Sequence, residues 1–157
     1  NITIPLLEES SVADKHVYNK FCELIKSYSV EYRGLNFLFE AELAAERLID
    51  ILAISENFFV TYDTGNITSC GFHHEDYLSL VSDRIKNVHL KDRTFNAQTV
   101  SPLQGDTNFN QIFNFLKEKD YNGLYTLQTA REEFGKEVET ISTHKLILEE
   151  VYNEQCI

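Results

Sequence analysis

Five short apolar runs, each separated from the next by residues at helical spacing, constrain the fold of this chain more than any other feature. The runs are 2–7, 35–39, 58–62, 85–90 and 124–127. Between the first two, Val17, Phe21, Leu24, Ile25 and Tyr28 recur at helical intervals. Leu43, Leu48, Ile49 and Leu52 mark a second helix. Tyr77, Leu78 and Val81 share one face of a short helix over 75–81. Phe109, Ile112, Phe113 and Leu116 mark another, with Asp106, Thr107 or Asn108 available to cap it. A last helix carries Val138, Ile141, Leu148 and Val151 or Tyr152. Strand and helix in alternation imply an α/β fold with a parallel sheet.

The runs end in polar side chains. Phe39 is followed by Glu40, and Tyr62 by Asp63-Thr64-Gly65-Asn66. Val88 leads into His89-Leu90-Lys91-Asp92-Arg93, and Leu127 into Gln128-Thr129-Ala130-Arg131. Strands that repeatedly finish in such groups suggest a parallel barrel with its chemistry at the carboxyl ends of the strands. Glu, Asp and His are ligand types for a divalent ion. Each residue also has a plainer reading. Glu40 could be an acid at a helix N-terminus, and Asp63 to Asn66 a simple turn. His89 could be a hydrogen-bonded core histidine, and Gln128 a hydrogen-bonding strand end. Lys91, Arg93 and Arg131 could form surface ion pairs with Asp92, Glu132 or Glu133. His73-His74 reads as a solvated loop before a helix, and Glu8 or Glu9 as an acid ending the first run.

A closed eight-stranded barrel typically takes ~250 residues, so these 157 residues fall about three units short. An open doubly wound sheet is the alternative. It would normally show a glycine-rich loop after its first strand, and residues 8–13 contain no glycine. The expectation is one domain over 1–157. With Asn1 in first place and no methionine, the chain reads as a fragment, a processed product or a sequence whose start is missing.

Hydrophobic residues make up 43% of the chain and aromatics 12%, enough for one well-formed core. The apolar runs are far shorter than the ~20 residues of a membrane span, and no secretory signal pattern opens the chain. A net charge of −11, with 14 basic residues scattered among 25 acidic ones, argues against nucleic acid as a partner. Cys22, Cys70 and Cys156 are odd in number and far apart. That argues against a disulfide framework or a zinc ribbon and fits a reducing cytoplasm.

Taken together, Phe39-Glu40, Tyr62-Asp63-Thr64-Gly65-Asn66, Asn87-Val88-His89-Leu90-Lys91-Asp92-Arg93, Gln104-Gly105-Asp106-Thr107-Asn108-Phe109 and Tyr121-Asn122-Gly123 resemble the xylose-isomerase-like TIM barrels. That superfamily contains sugar and sugar-phosphate isomerases and epimerases, and apurinic-endonuclease-type enzymes. The resemblance covers nearly the whole chain, in order. It implies a partial (β/α)8 barrel of about five βα units, strands four to eight, forming the C-terminal portion. It also implies a divalent ion (Mn, Mg, Zn or Co) held by Glu40, Asp63, His89 and a fourth strand-end residue. Family members carry Glu there, and this chain has Gln128.

The implied activity is isomerisation or epimerisation of a sugar or sugar phosphate by proton transfer through an enediolate. The metal stabilises the oxygens as a Lewis acid, and Glu40 is the catalytic base. Asn66, Lys91, Arg93 and Arg131 are the substrate-binding candidates, the arginines as bidentate forks for phosphate or carboxylate. Gln128 can lend a carbonyl oxygen to a metal but accepts no proton at neutral pH, which bears on a two-base epimerase route. Glu8 is a replacement candidate. The alternative is a catalytically silent barrel fragment that binds a carbohydrate or a protein. A nuclease is disfavoured, because its several metal ions need more strand-end histidines than His89. A five-unit arc leaves sheet edges open, so association with the missing barrel units or with a second copy is expected.

Overall fold

The computed structural model describes residues 1–154; Cys156 lies outside them. Five strands form one sheet: β1 (Ile2–Leu6), β2 (Phe37–Ala41), β3 (Phe58–Asp63), β4 (Ile85–Leu90) and β7 (Leu124–Leu127). Their order is β1-β2-β3-β4-β7, and every adjacent pair is parallel. All five apolar runs are therefore strands, lying side by side in chain order, as a barrel arc requires. A two-stranded antiparallel ribbon, β5 (Asp92–Arg93) and β6 (Thr99–Val100), sits within the long segment after β4.

The helices are α1 (Lys15–Glu31), α2 (Ala45–Leu52), α3 (Thr64–Ser69), α4 (His74–Val81), α5 (Phe109–Glu118) and α6 (Glu137–Glu154). Asp14 caps α1 by accepting from the backbone N–H groups of His16 and Val17, and Asn108 caps α5 by accepting from Gln111. No helix among the described residues is long and apolar enough to cross a membrane.

Strand alternation divides the sheet into two chemically different faces. Phe37, Phe39, Phe58, Val60, Tyr62, Val88 and Leu90 face the helices and join Leu48, Ile51, Leu78, Ile112, Phe113 and Leu116 in one core. Phe58 meets Phe37 and Phe39 edge-on, with ring centroids 5.8 and 5.1 Å apart, a favoured aromatic geometry. The residues of opposite parity, Leu38, Glu40, Thr61, Asp63 and His89, belong to the other face. Thr3 and Thr61 hydroxyls meet there at 3.3 Å.

Three boundaries differ from the sequence reading. The second run begins two residues later than expected, because Leu35 is tied into a turn by its N–H to Tyr32 O. Glu40 is consequently inside β2, not at a helix N-terminus. Asp63-Thr64-Gly65-Asn66 does not stop at a turn but opens α3, since the Asp63 side chain accepts from Asn66 N–H. Of His73-His74, His73 is exposed in the loop before α4 as expected, but His74 is not solvated. His74 is the first residue of α4 and is buried, with Tyr62 Oη 2.5 Å from its Nδ1 and Thr68 Oγ1 2.9 Å from its Nε2.

Candidate metal centre

Glu40, Asp63 and His89 stand on three neighbouring strands at the carboxyl ends of β2, β3 and β4. Asp63 and His89 are direct register partners. All three are buried, and each offers a ligand atom within 4.8 Å of the others. His89 Nδ1 lies 3.4 Å from Glu40 Oε2 and 3.8 Å from Asp63 Oδ2.

Asn66 fixes the two carboxylates. Its backbone N–H donates to Asp63 Oδ1 at 2.8 Å, and its side-chain Nδ2 donates to Glu40 Oε1 at 3.3 Å. Each carboxylate thus has one oxygen held by the protein and the other turned to the histidine. Asn66 Oδ1 in turn accepts from Arg93 Nη1 at 3.0 Å. The same Arg93 nitrogen lies 3.4 Å from Glu42 Oε1, and Arg93 Nε donates to Ala97 O at 2.9 Å.

Lys91 Nζ is 2.6 Å from Asp63 Oδ2, a close and largely buried ion pair. Asp63 Oδ2 and His89 Nδ1 are both buried without a hydrogen-bond partner. Orphaned buried polar atoms are costly and uncommon. A divalent cation would satisfy His89 Nδ1 and take up the two carboxylate oxygens that face it.

The local electrostatics follow from these distances. Burial alone would raise the Asp63 carboxyl, but His89 and Lys91 together hold it below the usual carboxylate value. Burial alone would lower His89, and the adjoining Asp63 and Glu40 reverse this and raise it to about 9. The site thus sets the side chains of Glu40 and Asp63 against those of His89 and Lys91.

The loop behind the site is tightly held. Thr64 Oγ1 donates to Lys91 O at 2.6 Å and accepts from Lys91 N–H at 2.9 Å. Asp92, buried, accepts from Gly105 N–H at 2.9 Å and from Thr107 N–H at 3.2 Å. Thr107 and Thr68 hydroxyls meet at 2.9 Å, which links this loop to His74.

The sequence-derived candidates thus separate into groups. Glu40, Asp63 and His89 converge, and Lys91, Asn66 and Arg93 surround them. Gln128 follows β7, whose Thr126 is level with His89, and its N–H donates to Leu90 O at 3.0 Å. Arg131 is exposed in the irregular segment between β7 and α6, where its charge acts on Glu137. Glu8 and Glu9 are exposed in a 3-10 turn after β1, with Glu8 at a φ of 47°. The sequence reading did not find Glu42, and it assigned no part in the site to Thr64, Thr107 or His74. Thr107 carried a local signal as a capping candidate, and Thr64 as the neighbour of Asp63. Glu42 and His74 meet their partners through contacts between separate elements.

A family model described as the xylose isomerase-like TIM barrel matches residues 29–150. A search of curated proteins finds no match. Among solved structures, the IOLI protein with a binding zinc atom is 16% identical with a TM-score of 0.77, over 98% of this chain and 63% of that one. A xylose isomerase domain protein from Alicyclobacillus acidocaldarius subsp. acidocaldarius is 16% identical, TM-score 0.75, over 96% of this chain and 63% of that one. A D-tagatose 3-epimerase-like protein is 19% identical, TM-score 0.70, over 99% of this chain and 64% of that one. At these identities the likeness is one of fold. The chain spans about three fifths of the length of the structures it matches. With the family model covering most of its length and the parallel five-stranded arc matching in structure, the chain belongs to the xylose isomerase-like TIM-barrel family.

Proposed function

We propose that this chain is the C-terminal portion of a metal-dependent sugar or sugar-phosphate isomerase or epimerase, working by proton transfer through an enediolate. The observation that carries the reading is the buried meeting of Glu40 Oε2, Asp63 Oδ2 and His89 Nδ1, with Asn66 holding the other oxygen of each carboxylate. The donor set fits a divalent ion such as Mn, Mg, Zn or Co, with Gln128 able to add a neutral carbonyl oxygen. When bound, the ion would supply Lewis-acid stabilisation of negative charge on adjacent sugar oxygens. Family neighbours support the substrate class, among them a D-allulose 3-epimerase from Methylomonas sp. in complex with D-allulose, 18% identical with a TM-score of 0.62 over 83% of this chain and 49% of that one.

The chain's own residues then have distinct roles. Glu40 takes the carbon-bound proton. Asn66 aims the Glu40 and Asp63 carboxylates and is committed to that task, so it orients ligands in place of binding substrate. Lys91, Arg93 and Arg131 provide positive charge for a phosphate or carboxylate. Gln128 favours a second reading, a silent barrel fragment that binds carbohydrate or protein, because a neutral amide supplies neither a third negative ligand nor a second base.

One assay separates the readings: exchange of the substrate's carbon-bound proton in heavy water, across ketose and aldose phosphates, on metal-saturated full-length protein. Wild type should exchange with at least one sugar. Glu40→Gln at saturating metal should cut turnover by ~10²–10⁴-fold, the usual worth of a positioned acid–base group. Exchange that survives this change removes Glu40 from the mechanism. No exchange with any sugar phosphate favours the binding module.

A further inference from the structure

We propose that Lys91 is an internal counter-cation which an incoming divalent ion displaces from Asp63, so that metal binding itself frees the ammonium for the substrate's anionic group. This rests on the metal-site reading above.

The geometry gives Lys91 two distinguishable parts. Its backbone is fixed, because Thr64 Oγ1 both donates to its carbonyl and accepts from its N–H. Its side chain is routed over Gly65, where an added Cβ would come 2.8 Å from Lys91 Cγ and 2.9 Å from Cδ. Glycine at this position lets the stem lie flat against the first turn of α3 and reach Asp63. Nζ then contacts Oδ2, the oxygen turned toward His89, while Oδ1 is occupied by Asn66 N–H. Lys91 therefore neutralises the same oxygen that the metal site requires.

A divalent cation and an ammonium cannot share one buried carboxylate oxygen without strong repulsion. A flexible four-carbon stem on a fixed backbone lets the charge move without rearranging the loop. The metal-free site is thus kept assembled by its own cation, and the apparent metal affinity is reduced by the fraction of Asp63 that Lys91 occupies.

Two measurements on the full chain test this, with Mn²⁺ alone as the probe. By titration calorimetry, Lys91→Met should bind Mn²⁺ about tenfold more tightly than wild type, since removing the competitor raises the competent fraction. In wild type, acylation of lysines read by peptide mass spectrometry should show Lys91 labelling severalfold faster at saturating Mn²⁺. Lys145, exposed on α6 and paired with Glu149, serves as the internal reference. Equal or weaker binding by Lys91→Met overturns the displacement while leaving the metal site standing. Tighter binding without faster Lys91 labelling also overturns it, because only the local field would have changed. Absence of Mn²⁺ binding in both proteins removes the metal reading and this inference together.

Discussion

Asn66 shows how one uncharged residue can organise a charged site. It spends its backbone N–H on Asp63, its amide N–H on Glu40 and its carbonyl on Arg93. Groups that orient metal ligands typically contribute 10–100-fold to affinity. Asn66→Ala should therefore weaken Mn²⁺ binding by ~10–100-fold in calorimetry, with the helix content by circular dichroism retained. Unchanged affinity would mean that the carboxylates orient without it. His74 makes a different prediction, about stability. Burial, followed by the charge of neighbouring His73, lowers its pKa to about 4, so it is neutral in the folded protein. The unfolded chain takes up a proton near the ordinary value of ~6.5. The stabilising contribution is thus complete above that value and is lost as pH falls toward 4. Between pH 7 and pH 5 it should cost about 2 kcal/mol. His74→Gln, which does not titrate, should remove that portion of the slope in urea unfolding measured at both pH values.

At the scale of elements, the site depends on a loop as much as on strands. The segment after β4 carries Lys91 and Arg93, and it is anchored by Asp92 turned inward to two backbone N–H groups. Gly105 is required at the closest approach, since a Cβ there would lie 2.3 Å from Asp92 Oδ1. Asp92→Ala would leave both donors without their acceptor, that of Thr107 in a buried place and that of Gly105 in a part-buried one. The expected loss is about 3 kcal/mol, the scale of broken charge-assisted hydrogen bonds with stranded donors. Urea unfolding would read it as a lower midpoint at unchanged slope. A shift below about 0.5 kcal/mol, the level of an ordinary surface change, would show that Asp92 is not the anchor.

The whole molecule is an arc with two open sides. Among the described residues β1 pairs with β2 alone and β7 with β4 alone, so each leaves one row of backbone groups available for pairing. Leu124 on β7 and Ile2 on β1 are exposed large apolar residues, and so are Val138, Ile141 and Leu146 on α6. We expect this span to associate, with the remaining barrel units or with a second copy. Light scattering and sedimentation of the isolated 157 residues should show a species larger than one chain. A stable, well-folded monomer would contradict the expectation.

The sequence by itself determined the parallel α/β arc, because period-two and period-3.6 apolar patterns are local and the burial they demand has few solutions. It also marked Glu40, Asp63 and His89, since each follows an apolar run, and strand parity then turns them away from the helix-covered core. Tertiary structure decided the rest. That Asp63 caps a helix, that His74 is buried against Tyr62 and Thr68, and that Asn66 serves two carboxylates depend on contacts between separate elements. The partner choices of Lys91 and Arg93 were equally hidden. Sequence neighbours Asp92, Glu132 and Glu133 offered plausible ion pairs, whereas the fold brings Asp63 and Glu42 within reach. Long flexible cations pair with whichever acid the packing delivers, and that distance is set by strand register and by the path of the loop, not by spacing along the chain.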